Sequence, residues 1–196
     1  MKNRHIIIIV LGFIIIWLTY MSKFGTNIID AMFWGGFIFI GFILFLVTFV
    51  RNIIRFIKER RAQNFFTTYL ILAFAIIICG IEYKNQYDFD KPSLLKGSCD
   101  GDINRTSIDL KKDGTFIFEN SATEIIDYMY GTYTISENKI TLDKTFLENV
   151  IVTDKLEIRD KEDSENTQTK FLYQIDEKGN ILSNEIEFRV IEDNRK

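Results

Sequence analysis

The stretch "SCDGDINRTSIDLKKDGTF", from Ser98 to Phe116, carries the clearest folding signal of the chain. In its second half Ile108 and Leu110 share one face of an extended segment. Phe116, which ends the stretch, shares one face of the next segment with Phe118. The residues between them, "KKDG", contain an Asp-Gly pair, which is typical of a hairpin turn between alternating segments. The stretch therefore predicts the start of an antiparallel β-sheet.

The first half of the same stretch, "DGDIN", has a second interpretation as the opening of a calcium loop. Asp100, Asp102 and Asn104 place side-chain oxygens at alternate positions, as an EF-hand does. That loop requires Gly at position six and Glu at position twelve, and these positions hold Arg105 and Lys111. We therefore favour a solvated turn and predict no metal ligands and no cofactor.

Alternating segments separated by turn residues continue to the C-terminus. Further strands are predicted at 128–135, 139–143, 150–159, 170–175 and 181–191, for a total of seven or so. One turn of helix is the alternative for 119–129, and residues 82–97 indicate a linker or a first edge strand. This pattern predicts an antiparallel β-meander, as an open sheet or a small barrel, in a domain spanning 84–196.

Three segments of this domain resemble the lipocalin-like β domains of bacterial envelope proteins. They are "LKKDGTF" (Leu110–Phe116), "GTYTI" (Gly131–Ile135) and "NKITL" (Asn138–Leu142), and the similar region covers residues 95–145. The resemblance implies a non-catalytic binding or scaffold domain. Members commonly open with Gly-x-Trp, but here Cys99 stands where the tryptophan would plug the barrel. A fully closed, ligand-enclosing barrel is therefore not predicted.

The N-terminal part of the chain contains three apolar runs, at 6–21, 28–50 and 65–82. A membrane-spanning helix needs about 20 apolar residues, so the runs predict a three-helix transmembrane domain at 1–83. The complete chain is then an α+β membrane protein. The basic segment "MKNRH" followed by an apolar run also fits a signal peptide, but no small-x-small cleavage site follows, and we interpret the run as a retained helix.

Charge divides the chain into two contrasting parts. Residues 1–83 contain eight Lys and Arg and three acids, whereas residues 84–196 contain sixteen Lys and Arg and twenty-four acids, a net charge of −8. Basic residues precede the first run and fill the second loop, with Arg51, Arg55, Lys58, Arg60 and Arg61. The positive-inside rule then predicts a cytoplasmic N-terminus and a β domain outside the cytoplasm. Together with the resemblance to bacterial envelope proteins, this implies a bacterial inner-membrane protein with a periplasmic or extracellular β domain.

The second loop also has helical periodicity, because Val50, Ile53, Ile54 and Ile57 recur at helical spacing. The second membrane-spanning segment is therefore predicted to continue as an amphipathic helix. Its basic residues have two interpretations: attraction to anionic lipid, or control of topology alone, which we prefer. Asp30 is interpreted as a solvated acid near the membrane surface rather than a functional acid within it.

The residues of the outer domain argue against several kinds of chemistry. The single histidine, His5, precedes the first apolar run, so Ser-His and Cys-His nucleophiles and histidine-containing zinc sites are excluded from that domain. A disulfide between Cys79 and Cys99 is not expected, because Cys79 lies in the third apolar run. An acidic domain is also a poor nucleic-acid binder. No catalytic residue is predicted.

Two hypotheses for function follow. In the first, a non-enzymatic, membrane-anchored protein uses its acidic β domain to bind a protein or envelope component, and one version is an immunity protein against an antibacterial toxin. In the second, the protein is a subunit of a membrane complex or an oligomeric pore, in which the helices carry the function.

Overall fold

Three apolar helices form the N-terminal unit, Met1–Asp88. They are α1 (Lys2–Met21), α2 (Ile28–Glu59) and α3 (Phe66–Phe89), with a 3-10 turn (Ser22–Phe24) and an extended segment (Gly25–Asn27) between the first two. The computed structural model describes residues 2–59, 65–101, 104–122, 125–162, 168–182 and 186–195, and the side chains of 2–5, 26–31 and 162 are not described. The interpretations of His5 and Asp30 concern side chains that lie outside the described ones.

The helices are long and apolar enough to cross a membrane, over 6–24, 32–59 and 66–89, which confirms the predicted α+β layout. Helix α2 continues through its amphipathic part to Glu59, as its periodicity predicts. Helix α3 continues to Phe89, so the prediction of a linker from residue 82 is wrong for its first half. Residues 82–89 contain neither Gly nor Pro, and Pro92 lies just beyond the helix end.

The helices of this unit contact one another through small and polar residues. A Cβ atom added to Gly12 would lie 2.6 Å from the ring of Phe74, so the glycine allows α1 and α3 to approach closely. Asn52 on α2 donates a hydrogen bond to Thr68 Oγ1 on α3 at 2.8 Å. These contacts fix the helices against each other by close packing and a buried hydrogen bond.

The C-terminal unit, Phe89–Lys196, is an eight-stranded antiparallel barrel. The strands are β1 (Ser93–Asp100), β2 (Asn104–Lys111), β3 (Thr115–Ala122), β4 (Ile125–Ser136), β5 (Lys139–Leu142), β6 (Lys155–Glu162), β7 (Gln168–Gln174) and β8 (Phe188–Asp193). Each strand pairs with the next along the chain, and β8 pairs with β1. The predicted meander is therefore confirmed, and it closes.

Of the two predicted forms, an open sheet or a small barrel, the structure has the closed barrel. The main-chain ladder between β8 and β1, which pairs Leu95 with Asp193 and Ser98 with Arg189, closes the barrel without a tryptophan plug. Closure also removes the two unpaired edges that an open sheet would expose. Other boundaries shift as well: the first strand starts at Ser93, residues 150–154 belong to a loop, and 119–122 and 125–129 belong to paired strands rather than to a helical turn.

Side chains fill the barrel in cross-strand rows. One row across β1 to β4 consists of Leu95, Leu110, Phe116 and Gly131, and the next consists of Gly97, Ile108, Phe118 and Met129. Leu156, Ile158, Leu172 and Phe188 complete the core from the other strands. An eight-stranded barrel is just wide enough for side chains to fill it. The interior is therefore a packed core.

Candidate interaction site at the mouth of the barrel

One end of the barrel carries the β1–β2 and β3–β4 hairpins and the β5–β6 and β7–β8 connections, and we call this end the mouth. Near it, a third row crosses β1 to β4, in which Cys99 pairs with Thr106, Thr106 with Asn120 and Asn120 with Asp127. These residues, the polar row, follow the two apolar rows at the two-residue spacing of inward-facing positions. Cys99 packs against the core, in agreement with this orientation. The barrel interior thus changes from apolar to polar at its mouth.

The polar row offers hydrogen-bonding groups but no activated nucleophile. Burial raises the pKa of the Cys99 thiol, and the charges of Asp100 and Glu187 raise it further. A thiol with a raised pKa stays protonated at neutral pH and is a poor nucleophile. The side-chain oxygen of Asn120 is buried and has no hydrogen-bond partner. The row is therefore suited to polar contact, and its chemistry does not favour covalent catalysis.

The connection between β5 and β6, residues 143–154, folds back on the barrel, and we call it the mouth loop. Leu147 and Ile151 form a β-bridge, with a hydrogen bond of 2.8 Å from Leu147 N to Ile151 O, and both side chains are buried in the barrel core. Burial of two large aliphatic side chains contributes about 1.5–3 kcal/mol for each. The mouth loop is therefore anchored to the barrel by its own apolar residues.

The side chain of Gln174, at the end of β7, fixes the mouth loop by bonding to the main chain of that loop. Its side chain is only 1% exposed. Its amide nitrogen donates to the carbonyl oxygens of Val150, at 2.8 Å, and Ile186, at 3.3 Å, and its oxygen accepts from Val152 N at 2.8 Å. One buried amide thus ties the mouth loop to the segment that precedes β8.

The mouth loop presents an exposed aromatic side chain from a strained backbone. Phe146 is 68% exposed and has φ 59°, and Glu148 and Asn149 have φ 48° and 56°. Left-handed backbone costs an L-residue other than glycine about 1–2 kcal/mol. Strain of this kind occurs preferentially at functional positions, where the surrounding structure holds it. Phe146, which precedes the buried anchor Leu147 and is itself part of the strained turn, is the best candidate contact residue of the described surface.

At the opposite end of the barrel, the chain enters β1 along a buried lysine. Lys111 is 3% exposed, and its ammonium group donates to Phe89 O at 2.7 Å, Lys91 O at 3.0 Å and Asp109 Oδ2 at 2.8 Å. Tyr133 donates its hydroxyl hydrogen to the Lys111 carbonyl oxygen at 2.7 Å, and burial raises the tyrosine pKa to about 12. This end of the barrel is occupied by structural bonds, which leaves the mouth as the candidate site.

The residues considered for calcium have other contacts. Asp100 forms an exposed ion pair with Arg105 at 3.3 Å, and Gly101 N donates to Asn104 O at 2.8 Å to form the turn. Asp102 lies outside the described residues. Lys111, at the position where an EF-hand places its bidentate glutamate, is the buried lysine of the opposite end. Asp100, at the end of β1, and Lys111, at the end of β2, therefore lie at opposite ends of the barrel.

The sequence patterns do not single out Gln174, Phe146 or the polar row. A row of cross-strand neighbours depends on strand register, which single strands do not reveal. The only available signal is local: "TFLENV", residues 145–150, interrupts the alternation between two strands with apolar residues, and a solvated loop would not need them.

Comparison of the chain with protein-family models, curated proteins and solved structures gives no match. The fold is of the lipocalin-like kind, an eight-stranded antiparallel barrel after three apolar helices.

Proposed function

We propose that the protein is a non-enzymatic, membrane-anchored binding protein whose barrel recognises a protein or envelope component. The observation that carries this proposal is Phe146, exposed on a strained loop that Leu147, Ile151 and Gln174 hold rigidly at the mouth. Aromatic residues are enriched among the residues that dominate protein interfaces. Because core side chains fill the barrel and Phe146 lies at its mouth, the partner would bind at the mouth.

The charge of the outer domain indicates the chemistry of the partner. A net charge of −8 over residues 84–196 attracts a basic surface and speeds its association. The partner would combine basic groups with an apolar pocket for Phe146. An antibacterial toxin that acts at the membrane fits this description, and the protein would then be an immunity protein that captures the toxin there.

The location of the protein is part of the same proposal. The basic residues Arg51, Arg55 and Lys58 after the second apolar run favour a cytoplasmic N-terminus and a barrel on the periplasmic or extracellular side of a bacterial inner membrane. The barrel and the segments 110–116, 131–135 and 138–142 also support a relationship to the lipocalin-like β domains of bacterial envelope proteins. In that location the anchor would keep the barrel where an incoming toxin acts.

Site-specific photocrosslinking in living cells tests the proposal. A benzophenone amino acid replaces Phe146 in the full-length protein, and the matched control replaces Ile191, a 52% exposed residue on β8. We expect a crosslinked product of one defined mass from position 146 and none from position 191. Identical products from both positions, or no product from position 146, would overturn the proposal.

The hypothesis of an immunity protein makes two further predictions. Association of the purified protein with the partner identified by crosslinking should slow steeply as salt rises. Salt screens the attraction between charges that are farther apart than the Debye length, which is about 8–10 Å at physiological salt. Expression of the full chain should protect sensitive cells from that partner. A rate that does not change with salt contradicts charge steering, and unprotected cells contradict the immunity role.

One observation favours the second candidate, a subunit of a membrane complex or oligomeric pore. A cavity of about 370 Å³ lies among the three helices, lined only by apolar or small residues such as Gly12, Gly41, Phe74 and Ala75. A few large apolar side chains of a helix from another subunit would fill such a space. Replacement of all three helices by one unrelated anchor separates the candidates: crosslinking from position 146 survives if the barrel carries the function and is lost if the helices do.

A further inference from the structure

Helix α2 is longer than a bilayer crossing requires. It contains 32 residues, which at 1.5 Å per residue is about 48 Å, whereas the hydrocarbon core is about 30 Å thick. Its apolar run ends at Val50, and the remaining part, Arg51–Glu59, contains all the basic residues of the helix. The helix therefore continues from the hydrocarbon into the headgroup region of one leaflet.

A shallow groove runs along α2 across this boundary. Its lining residues are Leu46, Val47, Val50, Arg51, Ile54, Arg55, Lys58 and Glu59. The residues that begin the groove are apolar, and the basic residues follow at the end that extends beyond the apolar run. A groove with an apolar part and a cationic part matches the two parts of an anionic phospholipid.

The other face of α2 packs within the helical unit. Asn52 is 1% exposed and donates to Thr68 Oγ1 on α3 at 2.8 Å. Val50 and Ile54 lie two residues before and after Asn52, so they occupy the opposite side of the helix. Both are more than half exposed. The groove therefore faces away from α3 and is open to lipid.

The basic side chains of the groove, Arg51, Arg55 and Lys58, pair with no carboxylate among the described residues. Glu59 is the one acid that lines the groove. Arginine binds phosphate oxygens with two parallel hydrogen bonds, and lysine adds a point charge. Three basic residues within about 10 Å along the helix axis are thus available to a lipid phosphate.

We propose that this groove binds an anionic phospholipid. Arg51, Arg55 and Lys58 contact its phosphate, and Leu46, Val47, Val50 and Ile54 contact an acyl chain. This role differs from control of topology, which needs positive charge alone and no apolar contact. The proposal does not depend on the function of the barrel.

Native mass spectrometry of the purified full chain tests the proposal. The protein is released from nanodiscs of phosphatidylglycerol and phosphatidylcholine in equal amounts, and retained lipids are identified. We expect wild type to retain phosphatidylglycerol at least tenfold over phosphatidylcholine, and the variant R51Q/R55Q/K58Q to lose that preference. Lys84→Gln, an exposed charge on α3, is the matched control and should retain it.

Two further arms separate the proposal from simpler explanations. Ile54→Ser keeps every charge but removes an apolar contact, and it should lower retention of phosphatidylglycerol severalfold. Inorganic phosphate in the release buffer should not displace the lipid. Equal retention of the two lipids by wild type, full retention by Ile54→Ser, or displacement by phosphate alone would overturn the proposal. Helical circular dichroism of each variant shows that loss of lipid does not reflect unfolding.

Discussion

The ring of Phe116 on β3 lies against Gly131, its register partner on β4. A Cβ atom at position 131 would stand 2.5 Å from Phe116 Cε1 and 2.3 Å from Asp143 Oδ1. Real Cβ atoms do not approach so closely, so a larger residue must displace both the Phe116 ring and the exposed carboxylate of Asp143. Because the ring is fully buried, the absence of a side chain at position 131 sets the packing of the core there.

Gly131→Ala should lower the free energy of unfolding of the barrel by about 1–3 kcal/mol, the usual cost of overpacking. Urea denaturation followed by circular dichroism measures the change, and Gly35→Ala, where nothing lies within 4 Å of the added atom, is the control. In a Phe116→Leu background the same substitution should cost less. An equal cost in both backgrounds would show that the ring contact is not the cause.

Gln174→Leu should loosen the mouth loop more than it disturbs the rest of the barrel. The substitution leaves the main-chain groups of Val150 and Val152 without their partner, at about 1–3 kcal/mol for each unsatisfied group. Hydrogen exchange of the Val152 amide should accelerate accordingly. Gln168→Leu, at the exposed start of the same strand, is the control, and similar exchange in both variants contradicts the role assigned to Gln174.

Lys111→Met should be the most destabilising of these substitutions. It leaves the Asp109 carboxylate without its ion pair, and Oδ1 of that carboxylate already lacks a hydrogen-bond partner. Removal of one partner of a buried ion pair costs about 3–5 kcal/mol. Lys112→Met, at the exposed neighbouring position, should have little effect on the denaturation midpoint. Asp109→Asn combined with Lys111→Met should recover part of the loss, because no uncompensated charge remains.

The barrel should lose stability in acid through Asp113 and Asp193. Hydrogen bonds from Thr115 and Lys91 lower the pKa of Asp113 from 3.8 to about 2, and Arg195 and then Lys170 hold that of Asp193 well below its usual range. A lowered pKa contributes stability above the unfolded-state value, and this contribution is lost as the pH falls from about 4 towards 2. Urea midpoints between pH 5 and pH 2 should therefore decline less in Asp113→Asn than in wild type. Asp160→Asn, an exposed acid at the end of β6, is the control, and an unchanged decline in Asp113→Asn would contradict this cause.

Much of the fold could be predicted from the sequence, because its signals are local. Apolar runs reveal helices, and the Asp-Gly turn before Phe116 reveals a hairpin. Closure of the barrel could not be predicted, since it depends on whether β8, the last strand, pairs with β1. The motif around Cys99 lacks the tryptophan of the related domains and therefore did not favour a closed barrel. The mouth loop was missed for a related reason: Ile151 lies in a predicted strand and Leu147 in the connection before it, and only their shared burial in the core shows that both anchor one loop. Gln174 has no distinguishing signal at all, because its three bonds join segments distant in sequence.

At the strained turn, replacement of Phe146 should change the stability of the barrel and its binding of the partner in opposite directions. Phe146→Gly removes the left-handed strain, since glycine adopts positive φ readily, and it removes a ring that is mostly exposed and contributes little to the core. We expect the barrel to become more stable by about 1 kcal/mol. At the same time, association with the partner identified by crosslinking should weaken at least tenfold.

Glu148→Gly is the matched control for this trade-off. It relieves the same kind of strain two residues away and keeps the aromatic side chain, so it should raise the denaturation midpoint while association changes less than twofold. If Phe146→Gly destabilises the barrel, the loop is not strained in the way its backbone indicates. If both variants bind equally well, Phe146 is not the contact residue, and the conformation of the turn serves the packing of Leu147 and Ile151 instead.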